Sequence, residues 1–399
     1  MSDISLADDS VVTQPSRAPA AAPIVFTGDN GEFRRLVTRG ALLELVTAGF
    51  YRFWLATHMR RYLWSSTVIG GDALEYVGKA RELLFGFFFA LAILAPVYLA
   101  YLLIGLEAER TRAFASLPLG LFFAAFGQFA IYRARRYRLH KTSWRGLRFG
   151  MGGSGFAYMF RAIGWGFLLM LTLGLALPWA EAALERYKMR HTFYGALEGD
   201  FVGRGGDFFK RGWWIWAVSL FGSAGLFGLA AALGKAGGPL LIAGLVIILL
   251  AAPGLYAAFK TAQWRWWLEG LRLGDIRVET KLRTGSLLGN YFAFFGVSIG
   301  VVLAIGTAVG VVVAMNRNNI VGTNLPIGVL IFVGVAYLAT FLTIGVASRI
   351  FLTQRVWKIV TSSLAVHGLE AADAVATRAS AAENAIGEGF ADSLDVVGF

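Results

Sequence analysis

Long apolar runs alternate with short basic ones along this chain. The runs Leu83–Leu106, Ala113–Tyr132, Trp213–Gly234, Pro239–Phe259, Leu287–Ala314 and Leu325–Ser348 each approach the ~20 apolar residues a helix needs to cross a bilayer. They predict an all-α polytopic membrane protein with about six transmembrane helices. Two further stretches are ambiguous. Gly40–Trp54 is short and carries Glu44, while Phe156–Ala180 contains Arg161 and is broken by Gly174 and Pro178.

The basic segments decide between topologies. Lys and Arg number four in Met1–Arg39, four in Thr57–Glu82, seven in Arg133–Gly155, six in Glu181–Gly212 and six in Lys260–Ser286. The loops Glu107–Arg112, Lys235–Gly238 and Met315–Asn324 are poor in them. Because cytoplasmic loops collect Lys and Arg, all five rich segments are expected on the inside. That requires neither ambiguous stretch to make a net crossing. The resulting expectation is three helical hairpins with both termini cytoplasmic, two of them preceded by a re-entrant or interfacial helix. The alternative, eight transmembrane helices, puts Thr57–Glu82 and Glu181–Gly212 outside.

Composition supports lipid as the main solvent: 57% of residues are hydrophobic, 16% are charged, and the mean hydropathy is +0.60. The 49 glycines suit close helix packing in lipid. Cysteine is absent, which excludes disulfides, thiolate metal sites and thiol nucleophiles. Residues 1–23 read as a disordered cytoplasmic tail and 370–399 as a solvated, Ala-rich acidic tail. The net charge of +12 tracks membrane boundaries, with no separate soluble domain to hold a duplex, so nucleic acid is not an expected partner.

Sliding the chain by 125 residues superposes Thr47, Gly49, Trp54, Arg61, Tyr62, Thr67, Gly70, Val77 and Gly78 on Thr172, Gly174, Trp179, Arg186, Tyr187, Thr192, Gly195, Val202 and Gly203. Nine identities in 32 positions exceed the roughly two that ordinary usage gives. The spacing predicts an internal parallel repeat: 24–149, 150–272 and a degenerate third copy at 273–369.

The elements Thr172-Leu-Gly, Pro178-Trp179, Arg186-Tyr187, Thr192 and Gly195 resemble the YjgN-like bacterial inner-membrane proteins. So do Arg136-Tyr137-Arg138 and the run Thr142-Ser-Trp144-Arg145-Gly146-Leu147-Arg148-Phe149. The likeness covers Val25–Gly212 well and the rest mainly as hydropathy. In the first copy Thr47-Ala-Gly departs from Thr-Leu-Gly, and Phe53 stands where the proline would be. That family is a domain of unknown function. The resemblance implies a multi-pass protein of the bacterial inner membrane and no particular activity.

Two sets of residues are candidate sites. Arg136, Arg138, Trp144, Arg145 and Arg148, with Trp264, Arg265 and Arg272, interleave cations and aromatics just inside helix ends. Such arms suit anionic phospholipid headgroups, and they equally suit plain positive-inside anchoring. The broken segments at Thr47, Gly49 and Trp54 and at Thr172, Gly174, Pro178 and Trp179 form the second set. Interrupted helices can expose backbone groups to a solute, or can simply be structural breaks.

Glu44 and Arg161 are the ionisable residues within the apolar stretches, which disfavours a proton relay. The four histidines lack metal-ligand spacing, and no nucleophilic triad or phosphate loop is visible. Gly150–Gly155 reads as a flexible hinge. The expectation is a non-enzymatic carrier or sensor of a lipid-like or small polar solute, without cofactor, catalytic residue or metal. A scaffold that recruits a protein partner is the alternative, and a homo-oligomer stays open.

Overall fold

The computed structural model describes residues 21–110, 116–234, 237–317 and 326–373. The tails expected at 1–23 and 370–399 fall mostly outside them. The all-α expectation is wrong. Ten short antiparallel strands close into a barrel, and the helices rise from one end of it.

The order strand, helix, helix, strand runs five times along the chain. The first unit is β1 (Ala22–Phe26), α1 (Asn30–Val46), α2 (Arg52–Ser65) and β2 (Thr67–Ile69). The second is β3 (Asp72–Tyr76), α3 (Ala80–Arg110), α4 (Ser116–His140) and β4 (Thr142–Trp144). The third is β5 (Leu147–Met151), α5 (Gly155–Leu171), α6 (Leu177–Arg190) and β6 (Thr192–Tyr194). The fourth is β7 (Leu197–Phe201), α7 (Gly205–Ala232), α8 (Gly237–Gly270) and β8 (Leu271–Leu273). The fifth is β9 (Ile276–Thr280), α9 (Thr284–Met315), α10 (Ile327–Ser348), a π-helical segment Arg349–Arg355, α11 (Val356–Thr361) and β10 (Leu364–His367). A short α12 (Glu370–Asp373) follows.

Neighbouring strands pair in chain order, and β1 closes on β10 through Ala22↔Val366 and Pro23↔Ala365. At the end away from the helices the units join through two-residue turns. Gly70-Gly71 and Arg145-Gly146 have φ positive at both positions, the type I′ pattern that suits the twist of paired strands. In Gly195-Ala196 and Gly274-Asp275 only the first residue has positive φ.

Register fixes what fills the barrel. The pairs Ile24↔Ile69, Leu74↔Trp144, Phe149↔Tyr194 and Val278↔Val366 point inward, and these residues form the main apolar cluster. Tyr194 is fully buried and donates its hydroxyl to the Trp144 carbonyl at 2.7 Å. The outward positions include exposed Glu75, Arg148, Glu198, Asp200, Arg277 and Glu279. A plugged apolar inside, a charged outside and strands of three to five residues are the reverse of a membrane-spanning barrel, which needs 9–11-residue strands with an apolar outer band. This barrel is built to stand in water.

The helices are opposite in character. Among the described residues five meet the length and hydropathy of a membrane span: 80–103, 205–232, 238–270, 284–315 and 327–361. Their outer faces expose Phe85, Phe221, Ile242, Leu303 and Phe341, each more than 60% accessible, a surface suited to lipid. The sixth expected span, Ala113–Tyr132, is not among the five. It corresponds to α4, which holds Gln128 and ends in the run of arginines from Arg133, and residues 111–115 are not described.

Units one and three are shorter. At 17 residues, α1 and α5 reach about 25 Å, below the ~30 Å hydrocarbon core. Both turn back to the barrel through tight loops. Ala48 and Leu173 (φ 50°) and the glycines after them are left-handed, and the loop amides are bonded locally, Gly49 to the Glu44 carbonyl and Gly174 to that of Leu169. Thr47 and Thr172 each donate Oγ1 to a carbonyl four residues back and accept an amide four residues on.

The passage from strand to helix is tightly packed. Phe26, Tyr76 and Phe201 fold their rings over Gly28, Gly78 and Gly203, where a Cβ would lie 2.5–2.6 Å from ring atoms or the Tyr76 hydroxyl. Asp29 then caps α1 on the Glu32 amide at 2.8 Å, and Ser154 caps α5. The hinge expected at Gly150–Gly155 belongs to this scheme. Gly150 and Met151 are in β5, and Gly153 (φ 78°) packs against His191 and the Tyr132 hydroxyl.

Candidate functional site between the helices and the barrel

The second helix of each unit runs almost directly into a strand, which fixes its last two turns over the barrel. From these turns charged and aromatic side chains meet above the apolar plug.

On one side, Trp64 of α2 stacks on Trp357 of α11, with ring centroids 4.8 Å apart. Each indole reaches the next unit's threonine: Trp64 Nε1 donates to Thr142 Oγ1 and Trp357 Nε1 to Thr67 Oγ1, both at 3.0 Å. Arg60 donates to the Tyr76 hydroxyl at 3.2 Å. Arg135 and Arg138 follow on one face of α4. Burial lowers Arg138 from its ordinary value to about 10, and the neighbouring Arg60 and Arg135 add to that.

Arg135 Nη1 meets Glu185 Oε2 of α6 at 2.9 Å, and Lys188 holds the other carboxylate oxygen. Glu185 is only 6% exposed. Burial alone would raise its pKa, yet Arg135 and Lys188 bring it below the ordinary value. Glu181, one turn earlier, goes the other way: burial raises it, against the pull of Lys188. Glu181, Glu185, Lys260, Gln263, Trp264, Trp266 and Trp267 line a cavity of about 190 Å³ between α6 and α8. Trp267 Nε1 is buried there and helps Glu185 keep its charge.

A second basic concavity lies between α5 and α6. Arg161, Arg186, Arg190, Tyr187 and His191 line about 600 Å³ beside the Ser154 cap. Arg161 stacks over the Tyr187 ring at 4.3 Å, and Tyr187 donates to the Ser154 carbonyl at 2.9 Å. Arg186 bonds the Gly203 carbonyl, as Arg61 bonds that of Gly78, so each ties its unit to the next.

The residues singled out in the sequence scatter over this arrangement. Arg138 is half-buried at the end of α4, and Trp264 packs against Trp267 at the cavity between α6 and α8. Trp144 is inside the barrel at 4% exposure. Arg145 is in a hairpin turn at the far end, paired with Asp72 at 2.6 Å. Arg148 and Arg272 are on the outer wall, and Arg265 is exposed on α8. Arg136 is half-buried on α4. These eight do not make one surface.

Thr47, Gly49, Thr172 and Gly174 sit in the two tight loops already described. Trp54 packs beside Phe53 and Leu83, and Trp179 lies against Phe209. Pro178 opens α6 at its first turn. An apolar cavity of about 310 Å³ adjoins Gly174 and Pro178, and Trp216 donates to the Leu173 carbonyl at 2.9 Å. Of the charges in the apolar stretches, Glu44 pairs with Arg349 at 2.6 Å, closing the first unit on the fifth.

The charged residues at this junction, Arg60, Arg135, Glu181, Glu185, Lys188 and Lys260, are not legible in the sequence as a set. The available signal was spacing: Arg135/Arg138 at three and Glu181/Glu185 at four residues share helix faces. Among the described residues no three His, Cys, Asp or Glu side chains gather as a metal-holding group.

A family model described as a bacterial protein of unknown function, DUF898, matches residues 21–393, and the YjgN-like proteins are that family. No curated protein and no solved structure matches the chain.

Proposed function

This chain belongs to the DUF898 family, and on that premise we propose a non-enzymatic protein of the bacterial inner membrane that carries or senses a lipid-like or small polar solute. One observation carries the reading: a ring of helices with lipid-suited outer faces encloses a charged chamber directly above a water-suited barrel. Buried charge inside a helical membrane protein faces the bundle interior and marks solute paths.

In this proposal the barrel and both termini are cytoplasmic. The barrel gathers the basic ends of all five units, which is the arrangement the positive-inside preference favours. Anionic headgroups then contact the basic belt, with the concavity at Arg161, Arg186 and Arg190 as its best-formed part. The parallel internal repeat belongs to the same proposal, the 125-residue period pairing one short unit with one long one.

Native mass spectrometry of the gently solubilised protein tests it. A co-purifying lipid or small molecule is expected. A bare protein, or one holding a second polypeptide in fixed ratio, would favour the scaffold reading.

A further inference from the structure

Units one and three share a frame, because residues 125 apart make the same bonds. Tyr62 donates to the Asp29 carbonyl at 2.6 Å, and Tyr187 to that of Ser154 at 2.9 Å. Arg61 reaches the Gly78 carbonyl, and Arg186 that of Gly203. Asp29 and Ser154 each accept the amide three residues on. What distinguishes the two units around this frame is therefore side chain, not backbone.

The difference is one of charge. In the concavity of about 600 Å³ beside α5 and α6, Ser154, Ala157, Arg161, Arg190 and His191 stand where unit one has Asp29, Glu32, Leu36, Ser65 and Ser66. With Arg186 and its counterpart Arg61, unit three sets three guanidiniums and no carboxylate there, a formal +3. Unit one sets one guanidinium against two carboxylates, a formal −1. The three cations are lightly engaged within the protein. Arg186 gives Nη2 to the Gly203 carbonyl at 3.2 Å, and Arg190 Nε meets Asp200 at 3.4 Å with both side chains more than half exposed. Arg161 lies over the Tyr187 ring, and among the described residues no carboxylate pairs with it.

Arg161 is seven residues beyond the Ser154 cap, about 10 Å along α5. On the adjoining stripe of the same helix Phe156 and Phe160 are 60% and 67% exposed. Cationic and apolar surface side by side at that depth suits a ligand in which phosphate and acyl chains are joined. Guanidinium forks from two helices suit the phosphate oxygens.

We propose that the concavity of unit three is a discrete site for one anionic phospholipid, its headgroup held by Arg161, Arg186 and Arg190. This rests on the membrane reading above, and it narrows the general contact of the basic belt to one place on one unit.

Purified full-length protein in micelles is titrated with phosphatidylglycerol, and separately with phosphatidylcholine of the same acyl chains, and bound lipid is counted by native mass spectrometry. Wild type takes its first phosphatidylglycerol more tightly than phosphatidylcholine. Arg161→Leu and Arg190→Ser restore the unit-one pattern on a frame that accommodates it, so both keep the fold, which the thermal midpoint by tryptophan fluorescence checks. Each weakens the first phosphatidylglycerol about fivefold, and the pair more than about tenfold. Arg161→Gln gives the same loss without added apolar surface, and Arg161→Lys loses less. Arg35→Leu removes an exposed cation from α1, outside the concavity, and leaves the first binding unchanged. Inorganic phosphate at fixed ionic strength does not displace the lipid.

A loss in Arg35→Leu as large as that in Arg161→Leu overturns the site and leaves a diffuse belt. Equal binding of the two lipids by wild type overturns it too, and displacement by inorganic phosphate overturns the lipid as occupant in favour of a free oxyanion. A solute that co-purifies alike with every variant, with no loss of lipid, sinks the site and leaves the carrier or sensor reading standing. An otherwise bare protein whose lipid binding falls with Arg161 and Arg190 does the reverse.

Discussion

Glu185 and Glu181 are one helical turn apart on α6, and the structure assigns them opposite effects on stability. Glu185→Gln removes the charge that Arg135, at 2.9 Å, and Lys188 share. Side-chain exposures of 9% for Glu185, 19% for Arg135 and 11% for Lys188 leave little water to replace it. Breaking a buried pair costs about 3–5 kcal/mol. Because Gln keeps one acceptor oxygen, the lower end applies, about 3 kcal/mol or roughly a hundredfold in the unfolding equilibrium.

The pH dependence follows from the direction of each shift. The folded-state pKa of Glu185 is lowered, so its contribution is present above the ordinary carboxylate range and is lost as pH falls through the folded value. The pKa of Glu181 is raised, so stability falls as pH rises from the ordinary carboxylate range through the folded value, above which the full cost of its charge is present. Glu181→Gln is therefore neutral or stabilising at pH 7. The assay is SDS-induced unfolding in mixed micelles, followed by tryptophan fluorescence, with the cycle of Glu185→Gln and Arg135→Gln to isolate coupling. A loss below about 1 kcal/mol for Glu185→Gln with no coupling to Arg135 would refute the buried network.

Further outcomes are equally specific. Gly199→Ala in β7 sets a Cβ 2.5 Å from the Met189 carbonyl oxygen and 2.9 Å from that of Thr192, so it should cost at least about 2 kcal/mol by the same unfolding assay. Ala48→Gly should stabilise by about 1 kcal/mol, because Ala48 is left-handed at φ 50°, and Gly49→Ala at φ 91° should have the opposite sign. Single cysteines at Ala73, Ala196 and Arg277, all on the barrel, should respond alike to a membrane-impermeant thiol reagent in intact cells; divergent labelling would be incompatible with one barrel on one side. Arg61→Ala loses the 2.9 Å bond to the Gly78 carbonyl that joins units one and two, and a decrease of about 1 kcal/mol is expected.

Local chemistry made the helices legible. Apolar length predicts the spans at Leu83, Trp213, Pro239, Leu287 and Leu325, since a helix satisfies its backbone within its own segment. Thr47-Ala-Gly49 and Thr172-Leu-Gly174 likewise mark the two loops, whose backbone amides and threonine hydroxyls bond within five residues along the chain.

The strands have little signature of their own, although Gly70-Gly71, Arg145-Gly146 and Gly274-Asp275 are turn-forming pairs. Thr142–Trp144 is three residues long, too short to establish alternation, and its basic flanks have another explanation as membrane-edge anchors. Its partners, Leu74 and Leu147, come from different units, and the last pairing, Ala22 with Val366, spans nearly the whole described chain. That last pairing exists only once all five units are in place.

The inner chamber depends on the same event. Composition and periodicity determined that Arg135, Arg138, Glu181, Glu185 and Lys260 sit near helix ends. Only barrel closure decided that they face one another rather than the headgroups, because it sets the rotation of each second helix about its axis. A helix alone has no preferred facing until a neighbour covers one side of it.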